Sequence, residues 1–503
     1  MTAPPPAIAV TLPATGVDEA RQQIDVAARA GADLAEVRFD RWTRADYNDR
    51  ARLFPSLVPL IATLRSRTEG GQGPDEPEIR SERLRELSLL PFRWIDLEWD
   101  RDLALLPELP RPSEMGRILS THYPAGVRPD VWARRLREPV PPGCLRKVVA
   151  WARVGPLLLE LLPQLPAPGT EAVIALTTGP SGPLLRAWAR RLGFPMVFAA
   201  PPSAPLSHPT STAVEPSQIP VDHLRAYLST ENHPPIFGLA GHPVGHTRSP
   251  ALHARWMSRF HRTGIYVPLD FETEPEFVDS LAILAEWGFR GLNVTHPWKS
   301  AALEAATEVM GGAAVCGVAN TLTFRGDSIE AENTDLVAAL RRLEELKRQG
   351  RWDGRSLAVV GAGGASRATL AAARTLGSRA RVYARRAEAA EELARSFSAD
   401  APDPESAESE SLLVHATTVG RHDAGPLEVP IERLLQRGAH VLDWVYDPEV
   451  PEIRSAALRA GATYEDGRRL LVYQAAASFG LWWGEEPSPE AVDELLREVG
   501  CEG

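Results

Sequence analysis

The sequence predicts an α/β protein in two parts: an N-terminal (β/α)8 barrel, then a second α/β unit made of two pieces. Three observations predict it. Eight short apolar runs alternate with helix-length amphipathic segments through the first 228 residues, the rhythm of parallel strands joined by crossover helices. Polar residues collect at the C-terminal ends of several runs, where a barrel keeps its site, and this favours a barrel over an open doubly wound sheet. From residue 236 a fresh β/α series begins, and at SLAVVGAGGASRA (356–368) an apolar run passes through glycines straight into a helical pattern.

The elements follow in order. Candidate strands are AIAVTL (7–12), LAEVRFD (34–40), LVPLIATLR (57–65), WIDLEW (94–99), RILSTHY (117–123), LRKVVAW (145–151), AVIALTTG (172–179) and MVFAAP (196–201). The helix VDHLRAYL (221–228) completes the barrel, residues 1–228, and the polar, proline-containing STENHPP (229–235) reads as a linker. The second part divides into 236–335 and 336–484, with a terminal helix in 485–503 expected to return to the 236–335 domain. The acidic stretch 398–411 reads as a solvated loop.

Composition excludes several function classes. The formal net charge is −11 and no basic block is available to neutralise phosphates, so neither nucleic acid nor an anionic membrane is the expected partner. No run reaches ~18 apolar residues and the start MTAPPPAIAVTL has no basic region before an apolar stretch, so a soluble cytoplasmic protein acting on small molecules is expected. Cys144, Cys316 and Cys501 are too scattered for a disulfide framework or a metal cluster, and His415 and His422 lack ligand spacing; no metal is assigned. Of 55 basic residues only three are lysines, Lys147, Lys299 and Lys347, and the other 52 are arginines. Where arginine serves so widely, a surviving lysine marks places that need an amine able to lose its proton.

Around Lys147 the company is unusual. A lysine in an apolar strand is costly unless neutral or paired, and desolvation favours the neutral amine that attacks carbonyls. EVRFD supplies Glu36, Arg38 and Asp40 at alternate positions, hence on one face, and Arg65, Glu98 and His122 follow in later strands. Charges in successive buried strands imply a shared polar pocket.

Around Lys299, GLNVTHPWK (291–299) ends a strand and begins a helix, GHPVGHTRSP (241–250) supplies Thr247 and Ser249, and VANTL and ENTD supply Asn320, Asn333, Thr334 and Asp335. VVGAGGASRA (359–368) places Gly361, Ala362, Gly363, Gly364 and Ala365 where backbone N–H groups at a helix start can cradle a pyrophosphate. A dinucleotide site for NAD carries an acid ~20 residues on; here Arg385 and Arg386 stand in that region, which suits a 2′-phosphate and so NADP. Lys347, in the charged helix RRLEELKRQ, reads as solvated and uninvolved.

The first half resembles type I 3-dehydroquinate dehydratase: E-x-R-x-D, T-x-R followed by E-G-G, D-x-E, serine-x-histidine and the later lysine occur in family order. The resemblance implies a Schiff base at Lys147, His122 as general base and acid, Glu98 orienting or tuning that histidine, and Glu36 among the substrate-binding residues. It further implies that Arg38, Arg65 and Arg186 hold the carboxylate and hydroxyls, with Gln218 closing over the substrate. Residues 236–484 resemble shikimate dehydrogenase through G-x-P-x-x-H-[ST]-x-S-P, N-V-T-x-P-x-K, N-T-L, N-T-D and a late glutamine. That implies a substrate-binding domain followed by a Rossmann-type NADP domain. It also implies a catalytic dyad of Lys299 and Asp335, with Thr247, Ser249, Thr295, Asn320 and Gln474 binding substrate. Departures from the two patterns are Tyr123, Val214 and Ser217 in the first and Leu336 and Ala384 in the second. The expected function is bifunctional: dehydration of 3-dehydroquinate, then reduction of the product to shikimate with NADPH. The rivals are a chain whose dehydrogenase alone works, and a regulator of the fungal quinate-repressor kind, against which the retained lysines and His122 argue.

Overall fold

Eight strands open the chain: β1 (Ala7–Leu12), β2 (Leu34–Arg38), β3 (Leu60–Thr63), β4 (Trp94–Glu98), β5 (Gly116–Tyr123), β6 (Cys144–Trp151), β7 (Val173–Thr178) and β8 (Met196–Ala199). Their order, β7-β6-β5-β4-β3-β2-β1-β8, brings the last strand back beside the first, so the sheet curls into a nearly closed barrel. Every pairing along it is parallel, from β1 with β2 and β8 to β6 with β7. The strands are buried on both faces, as covered parallel strands are. The computed structural model describes residues 4–501 apart from 111–114, 168–172, 204–214, 216, 231–232, 246, 404–407, 420–428 and 447–451. Val214, His422 and part of the acidic stretch 398–411 therefore lie outside the described residues.

Boundaries follow local chemistry. Ala7–Leu12 and the helix Val221–Leu228 coincide with the apolar and amphipathic runs that predicted them. LAEVRFD stops being a strand at Arg38, because Phe39–Arg41 forms a 3-10 turn and Arg38 folds over to make two 2.8 Å bonds to Asp40.

By compactness the chain forms two units, Met1–Leu239 with Pro243–Phe289, and Ala240–His242 with Arg290–Gly503. After the barrel come β9 (Ile236–Gly241), whose last two residues belong to the second unit, and β10 (Ile265–Asp270) of the first unit, where Trp188 Nε1 on the barrel donates to Trp287 O at 3.0 Å. In the second unit β11 (Phe289–Val294) lies antiparallel to β13 (Thr321–Arg325), β13 to β14 (Ser328–Glu332), and the short β12 (Glu308–Val309) runs parallel to β14. There follow β15 (Ser356–Val360), β16 (Arg379–Tyr383), β17 (Glu410–His415), β18 (Leu435–Asp443) and β19 (Thr463–Glu465), in the order β16-β15-β17-β18-β19. All four ladders of this sheet are parallel, and its core holds Val360, Tyr383, Leu413 and Val441. Helices Thr334–Arg348 and Arg468–Trp483 pack together, and Pro489–Glu498 packs on the latter, where Arg468 Nη1 donates to Val499 O at 2.8 Å. Among the described residues no helix is long and apolar enough to cross a membrane.

Candidate active sites

Inward positions on β1 to β6 build the first site. Glu36 on β2 accepts from Thr11 Oγ1 at 2.7 Å and Thr63 Oγ1 at 2.8 Å. Asp96 on β4 is the hub: Arg65 Nη2 donates to it at 2.8 Å, Ser120 Oγ at 2.6 Å and Lys147 Nζ at 3.1 Å. Lys147 is 4% exposed, lies 4.0 Å from Glu36 Oε1 and stands 3.8 Å from the centre of the Phe198 ring. Burying it is tolerable because two carboxylates and a ring face answer its charge. Asp96, despite burial that would raise it, is held well below the usual carboxylate range by Arg65 and then Lys147. The side chains surround a cavity of 300 Å³ lined by Glu36, Arg38, Arg65, Glu69, His122, Lys147, Arg186 and Gln218.

His122, at the end of β5, is held well below the ordinary imidazole range by burial and by the Arg65 and Lys147 charges. A neutral ring next to an amine is the state a general base needs. Its Nδ1 lies 3.0 Å from Glu69 Oε2, and its backbone N–H donates to the same oxygen at 3.2 Å. The expected contact with Glu98 is not made. Glu98 is fully buried, accepts from Ser66 N at 2.7 Å and pairs with Arg65 and Arg80 at 3.4 Å each, so it anchors Arg65 and is absent from the cavity wall. Sequence reasoning missed Glu69 as the histidine's partner, although it sits four residues after Arg65 within the E-G-G motif and bonds that arginine at 2.8 Å. It also missed Asp96, two positions before Glu98 and hence on the same strand face. Burial, assisted by Glu98 and Asp96 and opposed by Arg65, pushes the Glu69 carboxyl up to about 7.

Arg186 reaches the cavity wall but commits three donors to the carbonyls of Phe198, Thr177 and Gly182, at 3.0, 2.7 and 2.6 Å, and its Nη2 has no hydrogen bond among the described residues. Gln218 Nε2 donates to Thr11 Oγ1 at 3.1 Å, while its buried Oε1 has no partner among the described residues, as an unfilled acceptor in a binding site would be. Tyr123 also lines the cavity.

In the first unit, Ser249 begins the helix Ser249–Arg259, and its N–H donates to Thr247 Oγ1 at 3.2 Å. Thr247 faces a separate cavity of 680 Å³, which shares Glu215 and Gln218 with the barrel cavity. In the second unit, Lys299 opens the helix Lys299–Glu304 and its Nζ lies 2.5 Å from Asp335 Oδ2. The amine's awkward place at a helix start is thus offset by a carboxylate in the first turn of Thr334–Arg348, a helix capped by Asn333 through Leu336 N at 3.1 Å. Leu336 occupies an ordinary helical position there. Asn320 turns its Oδ1 inward to Thr334 N at 2.7 Å and Thr321 Oγ1 at 3.1 Å, and its Nδ2 has no hydrogen bond among the described residues. Thr295 N donates to Ala240 O at 2.8 Å, and Gln474 Nε2 to Leu471 O at 3.0 Å. Ser478, which sequence reasoning passed over, joins this group by accepting from Asn293 Nδ2 at 2.7 Å. Lys347 is exposed at the far end of the same helix as Asp335.

The glycine turn fits a dinucleotide. Gly361 has φ +124°, and a Cβ there would lie 2.6 Å from Ala416 O. Gly363 caps the helix Gly364–Thr375 without a side-chain hydrogen bond, as a helix start that takes a phosphate requires, and a Cβ on Gly364 would lie 2.7 Å from Lys299 Cδ. Arg385 and Arg386 are exposed just beyond β16.

Fold and sites together define an α/β protein with two lysine–carboxylate centres, one inside a barrel and one beside a dinucleotide cradle. Residues 8–234 match the family model described as type I 3-dehydroquinase, and residues 239–322 match the shikimate dehydrogenase substrate binding domain. The shikimate dehydrogenase (NADP(+)) of Ruegeria sp. (strain TM1040) is 36% identical over 269 residues, 51% of this chain and 96% of that protein. The chain belongs to the shikimate dehydrogenase family and carries a type I 3-dehydroquinase domain ahead of it. The crystal structure of shikimate 5-dehydrogenase from Thermus thermophilus with NADP(H) and shikimate is 33% identical, covers 53% of this chain and 99% of its own, and has a TM-score of 0.47. The dehydroquinate dehydratase and shikimate dehydrogenase of S. pombe AroM is 22% identical over 98% of both chains, with a TM-score of 0.42.

Proposed function

We propose that this chain catalyses two consecutive reactions: dehydration of 3-dehydroquinate to 3-dehydroshikimate in the barrel, then reduction of that product to shikimate. The observation that carries it is the placement of two of the three lysines, each against a carboxylate in a separate site.

In the first site the Lys147 amine adds to the ketone and water leaves, giving an iminium that acidifies the neighbouring C–H. His122, neutral and oriented by Glu69, takes that proton and returns one to the departing hydroxyl, which leaves as water; hydrolysis then frees Lys147. Arg38, Arg65, Arg186 and Gln218 bind the carboxylate and hydroxyls, and Glu36 and Asp96 hold the amine. Glu98 acts through Arg65. In the second site Thr295, Asn320 and Gln474 hold the substrate, and the Lys299–Asp335 pair delivers the proton to the ketone oxygen. NADPH, when bound, supplies the hydride; residues 361–365 take its pyrophosphate, and Arg385 and Arg386 its 2′-phosphate. The domain boundaries that suit this reading are 1–228, 236–335 and 336–484, with the terminal helix resting on Arg468–Trp483. A cytoplasmic location suits an NADPH-dependent biosynthetic enzyme.

Purified full-length chain given 3-dehydroquinate alone should accumulate an enone absorbance, and adding NADPH should consume it and yield shikimate. Neither enone formation nor NADPH oxidation would sink the proposal.

A further inference from the structure

The nucleotide sheet contains a buried polar chain that the two reactions do not use. His415 ends β17 and is 0% exposed; Asp443 ends β18 and is also 0% exposed, and the two are register partners. His415 Nδ1 lies 2.8 Å from Asp443 Oδ1, and its Nε2 lies 2.6 Å from Thr417 Oγ1 in the loop that follows β17. Asp443 is further engaged by Val445 N at 2.8 Å and Tyr464 OH at 2.9 Å, and Thr417 Oγ1 accepts from Val419 N at 3.1 Å.

Position gives this chain meaning. β16 lies on one side of β15 and β17 on the other, so the crevice between the C-terminal ends of β15 and β17 is the topological switch point where such a sheet binds its ligand. The glycine turn forms one wall and residues 416–419 form the other. The walls touch: Ala416 N donates to Val360 O at 2.8 Å, and the Ala416 carbonyl fills the space a Cβ on Gly361 would need. The hydrogen bonds then fix direction. A carboxylate only accepts, so Nδ1 donates to Asp443, and the second ring nitrogen shares its bond with the Thr417 hydroxyl. That hydroxyl is held between the ring and Val419 N, so residues 416–419 beside Gly361 are tied to the sheet core. An apolar pair of similar size would pack as well at lower desolvation cost, which points to orientation as the role.

We infer that His415, braced by Asp443 and Tyr464, is a positioning residue that holds Thr417 and its loop in the conformation that receives the dinucleotide. The inference rests on the dinucleotide reading of the glycine turn, and the test separates the two. NADPH affinity is measured by fluorescence titration of the full chain, with 3-dehydroquinate dehydration in the same preparation as a control for folding. Thr417→Val should weaken NADPH binding about 3- to 10-fold, the effect of one hydrogen bond, and Thr417→Ser should restore it. His415→Ala should weaken binding similarly although Thr417 is intact, and the double variant should be no weaker than the weaker single one. Dehydration should be unchanged in all of them. Wild-type affinity in Thr417→Val, or normal affinity in His415→Ala beside a weakened Thr417→Val, overturns the inference. Failure of the wild-type chain to bind NADPH overturns the dinucleotide reading itself.

Discussion

Replacing Glu69 with glutamine removes the charge that His122 leans on while keeping the shape of the side chain. Glu69 Oε2 receives the His122 backbone N–H at 3.2 Å, the ring Nδ1 at 3.0 Å and Arg65 Nη1 at 2.8 Å. Burial leads the forces that lift its carboxyl from 4.5 to about 7. In the unfolded chain Glu69 ionises above about 4.5 and in the folded chain only above about 7, so the cost of the buried charge is absent at low pH and full above neutrality. At 1.36 kcal/mol per pH unit that cost is ~3 kcal/mol. Glu69→Gln should therefore stabilise the barrel by up to ~3 kcal/mol near pH 8 and hardly at all near pH 4, as read from urea unfolding at both pH values. It should also slow dehydration. An amide in place of a charge-assisted hydrogen bond of ~1.5–3 kcal/mol lowers kcat about 10- to 150-fold. Wild-type kcat/KM should fall as pH drops through about 7, where Glu69 loses its charge, and the variant should lose that limb. Glu98→Gln should instead reduce stability first, by loosening Arg65 and Arg80. A Glu69→Gln chain that is less stable near pH 8, or that dehydrates within about twofold of wild type, would refute the reasoning.

Three other changes are informative. Lys147→Arg keeps a cation beside Asp96 but cannot form an imine, so borohydride with 3-dehydroquinate should leave no label and dehydration should vanish, with reduction of 3-dehydroshikimate intact. Lys299→Met should cost ~10²- to 10⁴-fold in the NADPH-dependent rate and leave enone formation unchanged, the mirror image of the first variant. Arg385→Ser with Arg386→Ser should raise KM for NADPH ~10-fold or more and leave KM for NADH alone, since only the 2′-phosphate contacts are lost; equal effects on the two cofactors would count against the assignment.

Both sites were legible as groups and only partly legible as geometry. Period and composition are local properties, so the strands of the barrel and the helix Val221–Leu228 could be read directly, and the strand ending early at Arg38 reflects a pair only two residues apart. The scarcity of lysine directed attention to Lys147 and Lys299 before any contact was known. Alternation along a strand says which face a side chain takes; it does not say which atom meets it there. Glu98 and Glu69 both belong to expected motifs, yet Ser66 N, 32 residues from Glu98 in sequence, captures one carboxylate, and His122, 53 residues from Glu69, meets the other. The bond from Lys147 to Asp96 spans 51 residues, and that from Asp443 to His415 spans 28. The sequence by itself determined the fold class, the two chemistries and the residue types they require. The tertiary structure decided which carboxylate meets His122, which donors of Arg186 and Asn320 are engaged, and which groups meet His415, because strand register and packing choose partners that sequence spacing leaves open.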